Sequence, residues 1–353
     1  MTSTVYAADE SDLDSVADDL VRLWSENLRS MGAGAPAKLH WYYRTAPTGP
    51  GRAIVLRARS ERGDAIVGCQ GIGFRRMMRG DAALRVALLA DLSVDKHHRT
   101  HFPALTLVRQ ARAVAAGASD FQYAFPNRAA VGLFRRLGYH ALGDMVRHAR
   151  VLRFSPYLAR RVRVPLLARI GGAALDAADA ALQALPRLRA GARFRLAFPS
   201  EPDARLDALF DEARRHHGVI GDRGRDFLRW RFFTRAGGAE LATLLRRGDG
   251  ALRAYAVVVR QGDAAQLSDF LGASEPELEA LLALLLPALR RRGCSSASVR
   301  FLGTARIPRL LVRLRFRRRG ADRTIVLAEG REALSPDLTD VESFYLTDAD
   351  EDE

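Results

Sequence analysis

A basic loop between a predicted strand and a predicted helix carries the residues best suited to chemistry. Residues 92–105 read LSVDKHHRTHFPAL, with Arg99 close to the start of the predicted helix. The first turn of a helix presents unpaired N–H groups and partial positive charge, so this junction suits a diphosphate. The guanidinium of Arg99 would add a bidentate phosphate donor. The alternative interpretation of the loop is an ordinary strand–helix connection whose side chains are solvated.

The loop lies within an alternating series of predicted strands and helices. Apolar residues recur at three- and four-residue intervals from Leu13 to Leu28, which predicts a first helix. Further helices are predicted at 103–116 and at 127–137, the second ending at Gly138. Strand-like runs separated by charged or glycine-containing turns are found at residues 53–59, 66–74, 84–94, 121–125 and 145–154.

The second half of the chain repeats this pattern. The segment WYYRTAPTG from Trp41 has a counterpart in WRFFTRAGG from Trp230. The residues LAD ending at Asp91 match LSD ending at Asp269, and a predicted helix follows each aspartate. Several similarities in the same order indicate an internal duplication.

The first half resembles the GNAT superfamily, the acyl-CoA-dependent N-acyltransferases. Its phosphate-loop pattern, Arg/Gln-x-x-Gly-x-Gly/Ala, falls on residues 99–104, and its Asn-x(n)-Gly-Phe/Tyr element on residues 127–139. The resemblance covers residues 1–150 and, more weakly, residues 196–330. It implies an α/β (α+β) chain with two tandem GNAT-like domains. Each domain would have a mixed, mostly antiparallel sheet with flanking helices.

The resemblance also implies acyl-CoA or acetyl-CoA as co-substrate and no metal. Backbone groups of residues 92–94 would pair with the pantetheine arm, residues 99–104 would cradle the diphosphate, and Asn127 would lie near the thioester. The residues expected at the co-substrate are Leu92, Ser93, Val94, Arg99, Thr100, His101, Phe102, Pro103, Ala104, Leu105, Asn127 and Phe134.

Two positions depart from the family pattern. Phe102 stands where the family has glycine, whose role is close backbone approach. Phe134 stands where many members carry a tyrosine that acts as general acid. The chain would need another proton donor, or the thiolate would leave unassisted.

Several side chains are candidates for proton transfer. An amine that attacks a thioester must lose a proton, which a carboxylate or imidazole can accept, so Asp91, His97 and His98 are the candidate bases. Tyr123 is a candidate acid, as is Tyr139, although both suit a core equally well. Trp41, Tyr42 and Tyr43, together with His40, form an aromatic cluster that suits either an acceptor pocket or the core.

The resemblance predicts four regions. These are an N-terminal GNAT-like domain with the acyl-CoA site at 1–154, a basic amphipathic linker at 155–195, a degenerate GNAT-like domain at 196–335 and an acidic tail at 336–353. In the second domain Glu277 replaces Arg99, and a glutamate there would repel phosphate. The acidic tail has two interpretations. It could attract a cationic amine, or it could be a disordered, solubilising end, and the second interpretation is favoured for Glu351–Glu353.

The composition narrows the class of partner. The chain has 353 residues with 55 Lys and Arg against 41 Asp and Glu, a net charge of +14. Only Lys38 and Lys96 are lysine, a bias typical of GC-rich coding, so the charge is no argument for nucleic acid and we expect no such partner. With 48% hydrophobic residues the chain suits two folded domains rather than a disordered or collagen-like protein.

The cysteines and the N-terminal residues indicate the cellular compartment. Cys69 and Cys294 have no Cys/His cluster nearby, which argues against disulfides and structural zinc and fits a reducing compartment. The segment MTSTVYAADESDLDS is polar and acidic, unlike a signal peptide. We therefore predict a cytoplasmic protein. The alternative prediction is a cytoplasmic protein attached peripherally to the inner face of the membrane.

The prediction of peripheral membrane attachment depends on the predicted linker. Residues 145–200 hold eleven arginines against Asp176 and Asp179. In residues 156–190, apolar positions such as Leu166 and Ile170 fall on one helical face and polar positions on another. One interpretation is an interfacial helix attracted to anionic lipid, and the other is a helix that packs between the two domains.

The sequence as a whole predicts an acyl-CoA-dependent N-acyltransferase that moves an acetyl or longer acyl group to an amine. The acceptor would be a small amine or, if the membrane interpretation holds, a lipid or envelope-precursor amine such as a long-chain base in ceramide-type synthesis. The alternatives are a tandem-GNAT peptidyltransferase that uses aminoacyl-tRNA and a non-catalytic binding protein of this fold. Oligomeric state is not predicted.

Overall fold

The structure is a computed structural model that describes residues 4–28, 31–60, 63–159, 165–234 and 237–352. It divides into two compact units. The first unit consists of Met1–Asp144, Arg323–Val341 and Glu351–Glu353. The second consists of Met145–Asp322 and Glu342–Asp350.

The strands are numbered in chain order as β1 (Val5–Ser11), β2 (Arg52–Ser60), β3 (Gly63–Arg79), β4 (Ala82–Val94), β5 (Phe121–Ala124), β6 (His140–Val151), β7 (Phe194–Ala197), β8 (Val219–Gly221), β9 (Ala239–Arg246), β10 (Leu252–Gln261), β11 (Ala264–Gly272), β12 (Ser296–Gly303), β13 (Arg317–Glu329) and β14 (Phe344–Leu346).

The helices are α1 (Ala17–Asn27), α2 (Ala35–Lys38), α3 (His101–Ala118), α4 (Val131–Arg136), α5 (Phe154–Ala159), α6 (Pro165–Arg193), α7 (Arg205–Ala213), α8 (Arg225–Leu228), α9 (Glu275–Arg291), α10 (Arg306–Arg313) and α11 (Pro336–Thr339). Short 3₁₀ turns occur at Gly32–Gly34, Lys96–His98, Arg214–His216, Val341–Ser343 and Asp348–Asp350, and π-helical turns at Leu39–Arg44 and Arg229–Phe233.

Each unit has a sheet with the same order of pairing. In the first unit the order is β1-β2-β3-β4-β5-β13, and in the second it is β7-β9-β10-β11-β12-β6. Neighbours are antiparallel except for one parallel pair in each sheet, β4 with β5 and β11 with β12. The sixth strand of each sheet comes from the other half of the sequence, since β13 pairs with β5 and β6 pairs with β12. The fold is therefore mixed α/β with two sheets of the predicted kind.

The sheet of the first unit is covered on both faces. Alternate residues of β2, β3 and β4 pack with Leu107, Val108 and Ala111 of α3 in one core cluster. On the other face, Ser93 Oγ of β4 donates to the carbonyl of Leu23 in α1. Because both faces are buried, most of β3 is an uninterrupted buried run rather than an alternating one.

Two predicted boundaries differ from the structure. The strand predicted at 145–154 begins at His140, and the first unit ends at Asp144, inside that strand. Helices α5 and α6, which cover most of the predicted linker, group with the second unit, and the linker itself stays a prediction. The choice of partner strand depends on contacts far along the chain, which a local hydrophobic pattern does not contain.

The prediction that the acidic tail ends in a disordered, solubilising segment is wrong through Asp352. Glu351 is 1% exposed, and Asp348 and Asp350 are also buried. Their carboxylates pair with basic side chains inside each unit, Asp348 with Arg300 at 2.7 Å and Glu351 with Arg323 at 3.1 Å. Buried acids persist where a cation compensates the loss of hydration. Glu353 lies outside the described residues.

Within the described ranges, no helix has the length and apolarity needed to cross a membrane.

Candidate functional site

The first unit contains a slot where its two parallel strands diverge. The pairing of β4 with β5 runs from Val86–Phe121 to Leu89–Ala124, whereas β4 stays paired with β3 as far as Val94. Beyond Leu89, the edge of β4 that faces β5 has no strand partner in the described chain. A cavity of about 580 Å³ opens at this point, lined by residues 89–92, 124–127, Gln70, Phe134, Arg323 and Asp352 among others.

Asp91 lies on the wall of this slot in a β-bulge. Ser93 pairs with Cys69 and Ala90 with Gly71, so Asp91 and Leu92 together oppose the single residue Gln70. The φ angle of Asp91 is 55°, in the left-handed region that costs a non-glycine residue about 1 kcal/mol. The side chain is only 4% exposed. The bulge thus holds a buried carboxylate in a strained position beside the slot.

The Asp91 carboxylate is held by a lysine and a tyrosine. Lys38 Nζ lies 2.6 Å from Asp91 Oδ1, and Tyr43 Oη donates to Asp91 Oδ2 at 2.6 Å. The same Lys38 Nζ lies 3.0 Å from Asp352 Oδ2. All four side chains are largely buried. One ammonium group therefore lies between two carboxylates, so the cluster has a net negative charge when both acids are ionised.

Burial controls the ionisation of this cluster. Burial raises the pKa of Asp91 to about 6, although Lys38 and Tyr43 both oppose the shift. Burial disfavours the charged form of Lys38, but Asp352 and Asp91 outweigh it and raise the pKa of Lys38. Burial also opposes ionisation of Asp352, yet Lys38 lowers the pKa of that carboxyl. Lys38 and Asp352 thus stay ionised near neutral pH, while Asp91 exchanges a proton slightly below neutrality.

Tyr43 reaches Asp91 because two glycines leave space on β3. A Cβ at Gly71 would collide with the Tyr43 hydroxyl, and a Cβ at Gly73 would collide with Tyr42. The π-helical turn Leu39–Arg44 points both rings at the sheet, and Trp24 stacks on Tyr43 at 5.4 Å between ring centroids. Of the aromatic cluster predicted as core or acceptor pocket, Trp41, Tyr42 and Tyr43 are thus buried in the core and Tyr43 also holds Asp91, whereas His40 is exposed.

Gln70 presents an unused acceptor at the slot. Its side chain is 1% exposed, and Nε2 donates to the carbonyl of Ala90 at 2.6 Å. In the described structure Oε1 has no hydrogen-bond partner. A buried polar atom without a partner is costly, so Oε1 is suited to accept a hydrogen bond from a ligand in the slot.

The predicted phosphate loop joins β4 to α3. Asp95 Oδ1 accepts from the backbone N–H of His97 at 2.8 Å, which closes the 3₁₀ turn Lys96–His98. Arg99 donates from Nε to the carbonyl of Val94 and from Nη2 to Asn27 Oδ1. The guanidinium therefore ties the end of β4 to α1.

The first turn of α3 begins at His101, earlier than predicted. Thr100, which precedes it, makes no side-chain cap to the helix N–H groups. Phe102 is 59% exposed and its ring contacts that of Tyr6, so the side chain points away from the helix interior. Pro103, Ala104 and Leu105 complete this turn.

The remaining predicted residues are distributed over several places. His98 Nδ1 lies 2.9 Å from the hydroxyl of Tyr6, and His97 is exposed. Tyr123 is buried beside Phe121 and Phe125 in β5, outside the set of side chains that line the slot. The structure brings together Asp91, Leu92, Asn127 and Phe134 at the slot.

Two of these slot residues have partners of their own. Asn127 Oδ1 accepts from the N–H groups of Ala129 and Ala130, which fixes the turn before α4. Phe134 is buried and meets Tyr139 edge-on at 5.0 Å between ring centroids. Phe134 presents no proton donor to the slot.

Three residues of the site were missed from the sequence: Lys38, Gln70 and Asp352. Lys38 had a usable signal, since it is one of two lysines in a chain that otherwise uses arginine. A lysine kept in so arginine-rich a chain suggests a position that uses a compact ammonium group rather than a planar guanidinium. Gln70 and Asp352 had no signal of this kind.

The second unit repeats the charged cluster with different residues. Arg223 is fully buried, with Nε 3.0 Å from Asp269 Oδ2 and Nη2 2.6 Å from Asp350 Oδ2. Tyr255 donates to Asp269, and Thr347 Oγ1 donates to Asp269 Oδ1 at 2.6 Å. An aspartate, a cation and an aspartate of the acidic tail therefore recur in the same relation.

In the second unit β14 occupies the corresponding gap between the strands, and a cavity of about 230 Å³ remains beyond it, lined by Leu271, Gly272, Thr304 and Tyr345 among others. Parallel pairing of β11 with β12 ends at Leu267–Val299, and β14 then pairs with β12 at Leu302 and Gly303. Tyr345 of β14 donates to the carbonyl of Phe270 in β11. A Cβ at Gly303 would collide with the carbonyl oxygen of Phe344, so only glycine permits this approach.

Comparison with known proteins concerns the fold. No protein-family model and no curated protein sequence matches the chain. Among solved structures, a GCN5-related N-acetyltransferase from Kribbella flavida matches with a TM-score of 0.57 and 14% identity over 92% of this chain and 72% of that one. Another from Anabaena variabilis ATCC 29413 matches with a TM-score of 0.59 and 14% identity over 93% and 73%.

A conserved protein of unknown function from Enterococcus faecalis V583 also matches, with a TM-score of 0.63 and 11% identity over 94% of this chain and 73% of that one. All three matches extend over more than nine-tenths of the chain, so both units belong to the shared fold.

Proposed function

We propose that this chain, whose fold is that of the GCN5-related N-acetyltransferases, is an acyl-CoA-dependent N-acyltransferase with its working site in the first unit. The observation that carries the proposal is the slot between the diverging strands β4 and β5, with the buried carboxylate of Asp91 on its wall. The second unit has lost the equivalent space to β14 and serves as a supporting domain.

The residues of the slot fit an extended amide-containing arm such as pantetheine. The edge of β4 beyond Leu89 leaves backbone groups without a strand partner, and Gln70 Oε1 is a buried acceptor for an amide N–H. Farther along, the uncapped first turn of α3 and the basic loop supply N–H groups and positive charge for a diphosphate. Arg99 would add to this site by exchanging its present partner Asn27 for phosphate.

In the proposed reaction an amine nitrogen attacks the thioester carbonyl. The C–N bond forms, the amine proton passes to the Asp91 carboxylate, and the C–S bond breaks as CoA thiolate leaves. A base whose pKa is about 6 is mostly ionised at neutral pH and remains a useful acceptor. Lys38 and Tyr43 act as positioning residues that hold the carboxylate. Because Phe134 has no proton to give, the thiolate leaves unassisted.

The charge of the cluster favours a cationic acceptor. Asp91 and Asp352 both line the slot and share the single charge of Lys38, while Arg323, which also lines the slot, pairs with Glu351. An ammonium group would therefore be attracted before it loses its proton. The lipid amine considered from the sequence gains no support from the comparisons, so the proposal names a cationic amine and no particular molecule.

Thiol release tests the proposal. With acetyl-CoA or a longer acyl-CoA, we expect free thiol to form at a rate that depends on an added primary amine, with the acylated amine found by mass spectrometry. Acyl-CoA alone serves as the control and should release little thiol. Binding of CoA without any turnover would favour a non-catalytic binding protein, and no binding of any acyl-CoA would contradict the proposal.

A further inference from the structure

Helix α6 carries an apolar face that points to solvent. Over most of its 29 residues, large aliphatic side chains are about half or more exposed. The side chains with exposure above 50% are Leu166 at 64%, Leu167 at 61%, Ile170 at 59%, Leu182 at 58%, Leu185 at 55% and Leu188 at 70%. From Leu166 to Leu188 the face runs for roughly 33 Å at 1.5 Å per residue. Scattered single leucines on a surface are ordinary, but a continuous face of this length marks an interaction site.

The orientation of α6 is fixed by its polar face. Asp176 pairs with Arg290 at 3.1 Å and accepts from the backbone N–H of Phe154. Asp179 pairs with the buried Arg150 at 2.7 Å and with Arg315 at 3.2 Å. Rotating α6 to bury its leucines would leave Arg150 without its carboxylate, which is costly for a buried cation. The polar face therefore points inward and the apolar face outward.

The charges around the apolar face decide its partner. Both acidic residues of α6 are neutralised inside the second unit, whereas Arg169, Arg187 and Arg189 have no acidic partner in the described part of the chain. Arg189 follows Leu185 by one helical turn and so borders the apolar face. A second copy of the chain would bring the same positive charges against each other, whereas an anionic lipid surface complements both the leucines and the arginines.

We propose that α6 docks the protein on an anionic membrane surface. The helix lies in the plane of the interface, with its leucines among the acyl chains near the headgroups and Arg189 against lipid phosphates. Arg169 and Arg187 lie on the polar face, about two and three turns from Asp176, and take no direct part in this contact. This inference is independent of the proposed catalytic site, because all of its residues belong to the second unit.

Vesicle co-sedimentation tests the proposal with the full chain. We expect binding to vesicles of phosphatidylcholine mixed with phosphatidylglycerol, and much less to phosphatidylcholine alone. The double variant Leu182→Glu/Leu185→Glu should lose about tenfold or more in partitioning, because it places charge in the apolar face. Arg189→Glu should weaken the preference for anionic vesicles. Val312→Glu is the matched control, since Val312 is 63% exposed on α10 of the same unit, and should bind normally.

Three results would overturn the proposal. The first is no sedimentation of the unmodified chain with anionic vesicles. The second is an equal loss in the Val312→Glu control. The third is a dimer, seen by light scattering, that Leu182→Glu/Leu185→Glu dissociates, since the face would then join two copies. Far-UV circular dichroism checks that each variant is folded, and thiol release with a soluble amine in the absence of vesicles should be unchanged in all of them.

Discussion

Replacing Asp91 by asparagine is expected to lower kcat for amine acylation by a factor of about 10²–10⁴, the usual contribution of a positioned general base. The amide is nearly the same size and can still accept a hydrogen bond from Tyr43 or Lys38, so the slot should keep its shape. CoA affinity should change little, because the carboxylate is proposed to meet the amine rather than the co-substrate.

The pH dependence gives this variant a second readout. Only ionised Asp91 accepts a proton, and burial raises its pKa to about 6, so kcat/KM of the unmodified chain should fall as the pH drops through about 6. The fall should have unit slope on a logarithmic scale and be absent from Asp91→Asn. Initial rates should be measured with an acceptor amine of low pKa. The acid limb of the pH profile can then be distinguished from protonation of the acceptor.

A matched control is Asp249→Asn, an exposed aspartate that pairs with Arg246 in the second unit. It should retain the full rate and the full acid limb. Normal turnover by Asp91→Asn, or an unchanged acid limb, would mean that another group takes the proton, and His97 and His98 would be the next candidates.

Replacing Arg223 by methionine is expected to lower the free energy of unfolding of the second unit by about 3–5 kcal/mol, the cost of removing one partner of a buried ion pair. Arg223 compensates both Asp269 and Asp350, and all three side chains are almost completely buried. Without the guanidinium these carboxyls must ionise in an apolar surrounding or take up protons. Denaturant unfolding followed by intrinsic fluorescence measures the loss.

Two further variants test whether the loss of stability in Arg223→Met comes from the unpaired buried carboxylates. Arg225→Met lies two residues away on an exposed pair with Asp226 and should leave the unfolding transition in place. Adding Asp269→Asn and Asp350→Asn to Arg223→Met should recover part of the stability, because no buried charge then lacks a partner. If Arg223→Met is as stable as the unmodified chain, or if the triple variant is no better than the single one, the buried cluster does not hold this unit together.

The sequence predicted those parts of the fold that depend on local pattern. Hydrophobic alternation and turn residues located β2 to β6 but not β1, and the order of elements around Asp91 and Asn127 was enough to indicate the GNAT fold. The same pattern gave four residues that the structure brings to one slot. Asp91 and Leu92 lie in β4, Asn127 follows β5, and Phe134 lies in the helix after it, so the parallel pairing of β4 with β5 brings them to one place.

What the sequence could not show depends on contacts between distant residues. Lys38 is 53 positions from Asp91, and it meets Asp352 across 314 positions. The run of acids that closes the sequence resembles a solvated end, and its burial is favourable because Lys38, Arg223 and Arg323 pair with its carboxylates. The pairing of β6 with β12 and of β13 with β5 also joins residues that are distant in the sequence, and the local pattern of either strand does not indicate which sheet it completes.

The acidic tail contributes one aspartate to the charged cluster of each unit. In the second unit the tail occupies the gap between the strands with β14 and supplies Asp350 to Arg223, while in the first unit it supplies Asp352 to Lys38 and leaves the slot open. One segment thus closes one copy of the site and completes the other. The central claim that follows is that CoA binds in the first unit and not in the second.

Amide hydrogen exchange with and without saturating CoA tests this claim most directly. CoA should slow exchange at residues 89–94 and 124–130, where backbone groups of the slot would gain a partner, and should leave residues 267–272 and 301–307 unchanged. Slower exchange confined to residues 267–272 and 301–307, or no change in either unit, would contradict the assignment of the site.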